Sequence, residues 1–307
     1  MTQTGLGRSR LRRRGPNPML EASEEEILVT PEGIRLEGHA SQGKGDVSRG
    51  LAIILPGWEG SANSTYMVCM GRYLYRAGYS VYRLNYRDHG DTHHLNEGIF
   101  HGALLSEVAD AVSQVAGRNQ GGPVYLIGFS LGGNFALRLA RMEISQVRRI
   151  FTVSPVLNPL ASTRKLDDNP FFRAYFREKW IRSLRRKEAL YPHRYNFTEV
   201  YSESSLMAMS EAILSRYSDF PSIEAYFDQY TLTPAKLEAV RVPAHIITSL
   251  DDPVVADGPY DAYYELDSVY LSIQRRGGHV GFIGPLLRTS WYEKVILKLM
   301  NADEGEL

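Results

Sequence analysis

The segment Gly-Phe-Ser-Leu-Gly at residues 128–132 constrains the fold of this chain more than any other feature. It follows residues 123–127, an apolar run with the length and β-branching of a buried strand, and it precedes residues 133–140, which resemble the start of a helix. A serine on such a tight strand-to-helix turn needs glycine on both sides, because a Cβ would not fit there. The turn holds the Ser130 hydroxyl clear of the backbone and places the Leu131 N–H where an oxyanion would form. We therefore predict that Ser130 is a nucleophile.

Two candidate partners of Ser130 follow it in chain order, each directly after a predicted strand. Residues 242–250 form a strand pattern that ends in two adjacent aspartates, and the strand pattern at 269–273 is followed by Gly-Gly-His-Val-Gly, which contains His279. The carboxyl ends of parallel strands meet at one edge of a sheet, so these loops should converge. A serine hydroxyl needs an imidazole to take its proton, and the imidazole needs a carboxylate to fix its tautomer. The order and placement predict a Ser-Asp-His triad.

Five motifs together carry a resemblance to a known family. They are Pro-Gly-Trp-Glu-Gly-Ser at 56–61, Asn-Tyr-Arg-Asp-His-Gly at 85–90, Gly-Phe-Ser-Leu-Gly-Gly-Asn at 128–134, Asp-Asp-Pro at 251–253 and Gly-Gly-His-Val-Gly-Phe at 277–282. From about residue 25 to the end, the chain resembles the α/β-hydrolase superfamily and, more narrowly, its YheT-like branch. Two positions depart from the usual pattern of that branch: Pro56 replaces a His, and Asp88 replaces a Gly.

The resemblance implies both a fold and an activity. The fold is the α/β-hydrolase fold, with a mainly parallel central sheet flanked by helices and a helical cap insertion. The activity is hydrolysis of carboxylic (acyl) esters through an acyl-enzyme on Ser130, with no metal and no cofactor. In this fold the acid lies just ahead of an apolar pair, which favours Asp252 over Asp251 as the partner of His279. The N–H groups of Trp58 and Leu131 would form the oxyanion hole.

The chain divides into three predicted parts. Residues 1–24 carry five arginines before the first acid and are predicted to be a disordered basic tail. Strand and helix patterns alternate in residues 25–157 and 241–307, as in a parallel α/β core. Residues 158–240 interrupt this alternation and are too many for an unstructured loop, so we predict a helical cap. The cap is rich in aromatic residues, which would either cover the active site or form the core of the cap itself.

The substrate pocket is predicted to lie between the sheet edge and the cap. The Glu59 carboxylate should point away from the oxyanion hole, because its charge would oppose the developing oxyanion. Histidines of the loop around residue 89 should line the edge of the pocket. The residues predicted to form the pocket are Glu59, His89, His101, Phe129, Phe172, Phe176 and Trp180.

Composition excludes several classes of protein. Lys plus Arg and Asp plus Glu both number 35, so no overall charge points to nucleic acid. The single cysteine, Cys69, cannot form an intramolecular disulfide, and it favours a reducing compartment, here the cytoplasm. No apolar stretch reaches 18 residues, so we predict no transmembrane helix. The expected partner is a small-molecule acyl ester, with at most weak peripheral contact between the basic residues and anionic lipid.

Three alternatives to this prediction remain open at the level of sequence. The same triad would serve a thioesterase or an amidase, because it does not select the leaving group. A non-catalytic binding protein could also have kept the fold. Four histidines fall within residues 89–101 and suggest a metal site, but their spacing matches neither a His-Glu-x-x-His helix nor a zinc ribbon.

Overall fold

The fold is built around one eight-stranded sheet. The computed structural model describes residues 2–7, 9–43, 48–142, 144, 146–256, 258, 260–284 and 289–305. The strands are β1 (Ser23–Val29), β2 (Arg35–Ser41), β3 (Leu51–Leu55), β4 (Ser80–Leu84), β5 (Val124–Phe129), β6 (Val147–Val153), β7 (Ala244–Ser249) and β8 (Val269–Gln274). Their order across the sheet is β1-β2-β4-β3-β5-β6-β7-β8. The pairs β1–β2 and β2–β4 are antiparallel and the other five pairs are parallel, so the predicted α/β-hydrolase fold is confirmed.

Helices cover both faces of this sheet. The helices outside the interval 158–240 are α1 (Thr2–Gly7), α2 (Pro18–Glu21), α3 (Thr65–Arg76), α4 (Leu105–Gly117), α5 (Leu131–Leu139), α12 (Tyr260–Tyr263) and α13 (Trp291–Asp303). Met70 of α3 and Ile296 of α13 belong to the apolar cluster on one face of the sheet. Val112 of α4 and Phe135 of α5 belong to the cluster on the other face. Central strands β3, β4 and β5 are buried along their whole length, which explains their unbroken apolar character.

Six helices occupy the interval that the sequence predicts as a cap. They are α6 (Pro159–Asp168), α7 (Pro170–Leu190), α8 (Thr198–Ser202), α9 (Leu206–Tyr217), α10 (Ile223–Asp228) and α11 (Pro234–Glu238). A separate apolar cluster fills the space between α6, α7, α8 and α9. Asn158 and Asn169 cap the starts of α6 and α7 by accepting backbone N–H bonds, and a proline follows each of them. We use the name cap for residues 158–240.

A buried ion pair fastens the longest cap helix to the loop after β4. Lys187 of α7 donates to Asp88 Oδ1 at 2.8 Å, and both side chains are almost fully buried. The same ammonium donates to the carbonyl oxygens of His93 and Asn96, so all three of its N–H donors are used. Asp88 has a φ of 59°, a conformation that favours glycine, which explains why the related pattern has Gly there. The departure at this position therefore attaches the cap to the core.

The N-terminal segment differs from the predicted disordered tail. Residues 10–13 form a 3₁₀ turn between α1 and α2, and Arg12 is buried in an ion pair with Glu293 of α13 at 2.7 Å. Arg12 also donates to the Gly7 carbonyl, while its own carbonyl accepts a bond from Arg72. A basic composition suggests solvent exposure, but one of these arginines neutralises a buried carboxylate. Met1 and Arg8 lie outside the described residues.

None of the helices that the structure describes is both long enough and apolar enough to cross a bilayer.

Candidate active site

Ser130 lies on a sharp turn between β5 and α5. Its backbone has φ 54° and ψ −117°, a region that non-glycine residues rarely adopt. A Cβ built on Gly128 would lie 2.2 Å from the Gly132 carbonyl oxygen, and one on Gly132 would lie 2.5 Å from the carbonyl oxygens of Leu55 and Pro56. The two glycines are therefore required by close backbone approach, as the motif predicts. The strand, the turn and the helix lie where the sequence pattern places them.

The three predicted triad side chains lie in one hydrogen-bonded chain. The Ser130 Oγ is 3.0 Å from His279 Nε2, and the His279 Nδ1 is 3.0 Å from Asp252 Oδ2. His279 and Asp252 are almost completely buried. An ionised Asp252 accepts a hydrogen bond from the Nδ1–H group of His279. The unprotonated Nε2 can then accept a hydrogen bond from the Ser130 hydroxyl. This tautomer is the one that allows the imidazole to act as a base towards the hydroxyl.

Asp252 is held ionised although it is buried. Burial alone would raise its pKa, but His279 and the backbone N–H groups of Val254 and Val255 keep the pKa below the ordinary value. The neighbouring Asp251 has a different set of contacts. Its Oδ1 accepts N–H bonds of 2.7 and 2.8 Å from the two glycines that precede His279. Only one of the adjacent carboxylates reaches the imidazole, and the other anchors the loop that carries it.

An apolar cavity of about 120 Å³ opens at Ser130. The cap and the sheet edge enclose it together, with Ser130 and His279 at the polar end. Its aromatic side chains come from several elements, and they are Trp58, Tyr66, Phe100, Phe176, Trp180, Tyr226, Phe227 and Tyr230. Three of these rings form one packed group: Trp58 stacks on Phe176 with ring centres 5.6 Å apart and meets Trp180 edge-on at 5.1 Å. The cavity suits an apolar group attached to a reacting carbonyl.

The loop after β3 lies directly beside Ser130. A Cβ built on Gly57 would be 3.0 Å from the Ser130 Cβ, so the loop approaches the serine as closely as glycine allows. Gly57 N–H donates to the Tyr66 hydroxyl, and Glu59 N–H donates to His89 Nε2. Among the described residues, we find no protein acceptor for the N–H groups of Trp58 and Leu131. These are the two groups that the sequence predicts as oxyanion donors.

A second, polar cavity lies on the far side of Trp58. It measures about 410 Å³ and shares Trp58 and Tyr66 with the apolar cavity. Glu59 and His89 line it, with cationic side chains of α7 on the opposite wall. Burial raises the pKa of Glu59 to about 8. The charge of Asp88 adds to this effect, and Lys179, Ser183 and Arg182 only partly offset it. Burial also lowers the pKa of His89 to about 4, which keeps this imidazole neutral.

The structure brings together three of the seven predicted pocket residues. His101, Phe176 and Trp180 line the apolar cavity. Glu59 and His89 line the polar cavity instead. The other two predicted residues lie outside both cavities. Phe129 is buried beneath the turn between Tyr66 and Tyr292, and Phe172 lies in the apolar cluster inside the cap.

Sequence reasoning missed several side chains that position this site. The Tyr66 hydroxyl holds Gly57, Lys179 of α7 donates to the Glu59 carbonyl at 2.7 Å, and the Thr4 hydroxyl accepts the His279 N–H at 2.8 Å. Tyr66 lies in helix α3, and the sequence assigned its hydroxyl no role. Thr4 belongs to the segment predicted to be disordered. Nothing in the local pattern marks these contacts, because each joins residues on different secondary-structure elements or loops, between 9 and 275 positions apart.

The four clustered histidines do not converge on a common point. His89 bonds the backbone and His93 bonds Ser183 Oγ at 2.8 Å, whereas His94 is exposed and His101 lines the apolar cavity. Within the described residues, the one group with metal-type ligand spacing is Glu25, Glu37 and His39 on the outer strands β1 and β2. Its Glu37 already accepts bonds from His39 and Asn85. This group lies on a different part of the sheet from Ser130.

Comparison with known sequences agrees with this arrangement. Residues 52–288 match the model of the alpha/beta hydrolase family, which is more than half of the chain. The chain belongs to the α/β-hydrolase family. The matched interval of this α/β hydrolase contains Ser130, Asp252 and His279, and it also spans the whole cap.

Individual relatives are distant. A Synechocystis protein, whose name gives esterase as a provisional function, is 24% identical over 72% of this chain and 67% of its own length. The human protein ABHD15 is 25% identical over 64% of this chain but only 43% of its own length, so this α/β hydrolase spans less than half of that relative. Among solved structures, the Pyrococcus furiosus esterase Pf2001 aligns over 94% of each chain, with a TM-score of 0.62 and 14% identity. The structural similarity concerns the fold alone.

Proposed function

We propose that this α/β hydrolase is a cytoplasmic serine hydrolase that cleaves carboxylic (acyl) esters. The single observation that supports the proposal most strongly is the chain of hydrogen bonds from Ser130 through His279 to Asp252, with Ser130 facing an apolar cavity. The esterase names of the Synechocystis relative and the Pyrococcus structure agree with it. The single, buried Cys69 suits a reducing compartment.

The proposed reaction assigns one role to each group. His279 Nε2 removes the Ser130 proton, and the Ser130 oxygen attacks the acyl carbonyl. The N–H groups of Trp58 and Leu131 stabilise the charge that develops on the carbonyl oxygen. His279 then gives its proton to the leaving alcohol, and the acyl group stays on Ser130. Water, deprotonated by the same imidazole, releases the acid, while ionised Asp252 stabilises the imidazolium in both steps.

The narrower assignment to the YheT-like branch is also our proposal. It rests on the five sequence motifs and on the role of Asn134, the last residue of the serine motif. The Asn134 amide donates to the carbonyl oxygens of Val156 and Tyr230, and this links the start of α5 to the segment just before the cap and to the cap itself. A phylogeny of the core residues that groups this chain with another branch would overturn the assignment.

A labelling experiment tests the proposed chemistry directly. We expect a fluorophosphonate probe to label the wild-type protein at Ser130 and to leave Ser130→Ala unlabelled. The same substitution should lower kcat/KM for an activated short-chain ester by at least ~10³, because no other group would form the acyl-enzyme. A wild-type protein that neither labels nor hydrolyses esters would instead be a binding protein that has kept the fold. Preference for a thioester or amide with the same acyl group would change the substrate class but not the mechanism.

A further inference from the structure

The polar cavity beside the active site has a cationic wall. Lys179, Arg182 and Arg186 line it from α7, together with Tyr175 and Ser183. These positions recur at intervals of three and four residues, so they form one stripe along the helix. Arg13 of the N-terminal segment contributes a fourth cation. We call this cavity, with its α7 stripe, the basic basin.

The acidic groups of the basin do not cancel this charge. Burial raises the pKa of Glu59 to about 8, which weakens its negative charge near neutral pH, although its carboxyl group lies near Lys179, Arg182 and Ser183. Asp88 is already paired with the buried Lys187. Arg182 and Arg186 do have acidic partners, Glu178 and Asp91, but these ion pairs are largely exposed and so hold the arginines only weakly.

The opposite wall of the basin consists of neutral hydrogen-bonding groups. Ser61, Asn63, Ser64 and Thr65 line it where α3 begins. Within the described part of the chain, Lys179 uses one of its three N–H donors on the Glu59 carbonyl, which leaves two for a ligand. Guanidinium and ammonium donors facing hydroxyl groups suit an oxyanion such as phosphate.

The basin is placed to meet the substrate of Ser130. It shares Trp58 and Tyr66 with the apolar cavity, so these two aromatic residues border both spaces. The apolar cavity of about 120 Å³ accepts an acyl chain, whereas the basin of about 410 Å³ has room for a larger, hydrated group. An ester consists of an acyl group and an alcohol group. The apolar cavity matches an apolar acyl chain in polarity, and the basin matches a polar alcohol.

We infer that the basic basin binds the alcohol side of the ester substrate, and that this alcohol carries a phosphate or a comparable anionic group. The inference rests on the proposed function, because it assigns the second side of the same substrate. Lys179, Arg182 and Arg186 hold the anion, and Trp58 separates it from the acyl chain. The substrate class is thus an acyl ester of a phosphorylated alcohol.

Two soluble esters with the same short acyl chain test the inference. One is an acylglycerol and the other is the matching acylglycerol phosphate, both used below the concentration at which they aggregate. We expect the wild-type protein to prefer the phosphate ester by about tenfold or more in kcat/KM at low salt, the effect of a few charge-assisted hydrogen bonds. The preference should shrink as ionic strength rises, since the arginines are exposed. Equal kcat/KM values for the two esters would overturn the inference.

Variants of α7 assign the preference to the basin. We expect the double variant Arg182→Gln/Arg186→Gln to bring the ratio of the two kcat/KM values towards one. Arg185→Gln is the matched control, because Arg185 lies on the same helix over the Tyr201 ring and outside the basin. The control should keep the wild-type ratio. An unchanged ratio in the double variant, or an equal loss in the control, would contradict the assignment.

Direct binding separates failure of the inference from failure of the proposed function. We expect glycerol 3-phosphate to bind Ser130→Ala in calorimetry and not to bind the same variant with both arginines replaced. Binding without hydrolysis of any ester would keep the basin and overturn the proposed function. Hydrolysis without such binding would keep the function and overturn the basin. A further outcome is that the arginines are needed for binding to phosphatidylglycerol vesicles while the two soluble esters have equal kcat/KM values. In that case the stripe binds a membrane surface, and the inference is wrong.

Discussion

At the scale of single residues, the main feature of the site is the strained backbone of Ser130. Ser130 holds a backbone conformation that costs a non-glycine residue roughly 1–3 kcal/mol. The hydrogen bond from Ser130 N–H to the Val153 carbonyl and the close packing of Gly132 hold the turn in this conformation. Strain of this kind persists only where the surrounding structure over-determines it. It therefore supports a functional role for the serine beyond its sequence motif.

The adjacent aspartates make a matched pair of test positions. We expect Asp252→Asn to lower kcat by up to ~10⁴, because an amide does not fix the imidazole tautomer that the serine needs. Asp251→Asn should lower kcat by less than about tenfold, because the amide oxygen of Asn still accepts hydrogen bonds from the two glycine N–H groups. Both variants are measured on one ester after a thermal melt has established folding. A larger loss for Asp251→Asn would transfer the triad role to that residue.

Glu59 should make stability depend on pH. Its pKa of about 8 exceeds the ordinary value of about 4.3, so between these values the folded protein holds a proton that the unfolded chain lacks. The stabilisation is therefore complete below about pH 4 and is lost as pH rises through 8. Glu59→Gln removes this titration, and we expect the Tm of the variant minus that of the wild type to grow from pH 5 to pH 9. A difference that does not change with pH would mean that Glu59 stays ionised opposite Lys179.

At the scale of elements, helix α7 serves two different surroundings. Phe172 faces the apolar cluster of the cap, whereas Phe176 and Trp180 reach both that cluster and the cavity at Ser130. Phe171 is 61% exposed and contacts the Phe172 ring edge-on. One helix thus carries structural, pocket-lining and exposed aromatic residues within a short stretch. The sequence interpretation that treated them as one group was too coarse.

These aromatic residues allow a graded test of the cap. We expect Trp180→Ala and Phe176→Ala to shift the preferred acyl chain length while short esters are still hydrolysed, since each buried methylene is worth about 0.8 kcal/mol. Phe171→Ala is the exposed control and should leave the chain-length profile unchanged. Phe172→Ala should instead destabilise the protein by about 3–5 kcal/mol through loss of packing in the cap. A wild-type profile in folded Trp180→Ala would place the acyl chain elsewhere.

At the scale of the whole molecule, the N-terminal segment connects distant parts of the chain. Arg12 pairs with Glu293 near the C-terminus, and Thr4 supports the loop that carries His279. The carboxylate of Glu293 also caps the start of α13 through the Ser290 N–H. Removal of the segment would therefore leave a buried charge and a loosened histidine loop.

The ion pair of Arg12 provides the corresponding measurement. We expect Arg12→Ala to lower the free energy of unfolding by about 3–5 kcal/mol, because Glu293 would remain buried without its partner. Arg14→Ala is the control: its side chain is exposed, so the change should stay within about 0.5 kcal/mol. Both values come from denaturant titration. Equal, small effects of the two substitutions would mean that the segment does not pack as described.

Local rules in the sequence determined the fold and the order of the reacting groups. These rules concern the glycines around Ser130, the apolar strands and the position of His279 after β8. Each feature depends on neighbours within a few residues, so a local sequence pattern predicts it. The resemblance to the α/β-hydrolase superfamily favoured Asp252 over Asp251, and the structure brings Asp252 within 3.0 Å of His279 Nδ1.

Only the tertiary structure decided which side chains share a cavity. Three features depend on packing between segments far apart in sequence. They are the position of Glu59 outside the apolar pocket, the burial of Phe129 and the contact of Thr4 with the histidine loop. Such contacts depend on how α7 and the N-terminal segment pack against the sheet edge. Hydrophobic periodicity predicts that a residue is buried, but it does not predict which side chains the residue packs against. Those partners are selected by shape and charge in three dimensions.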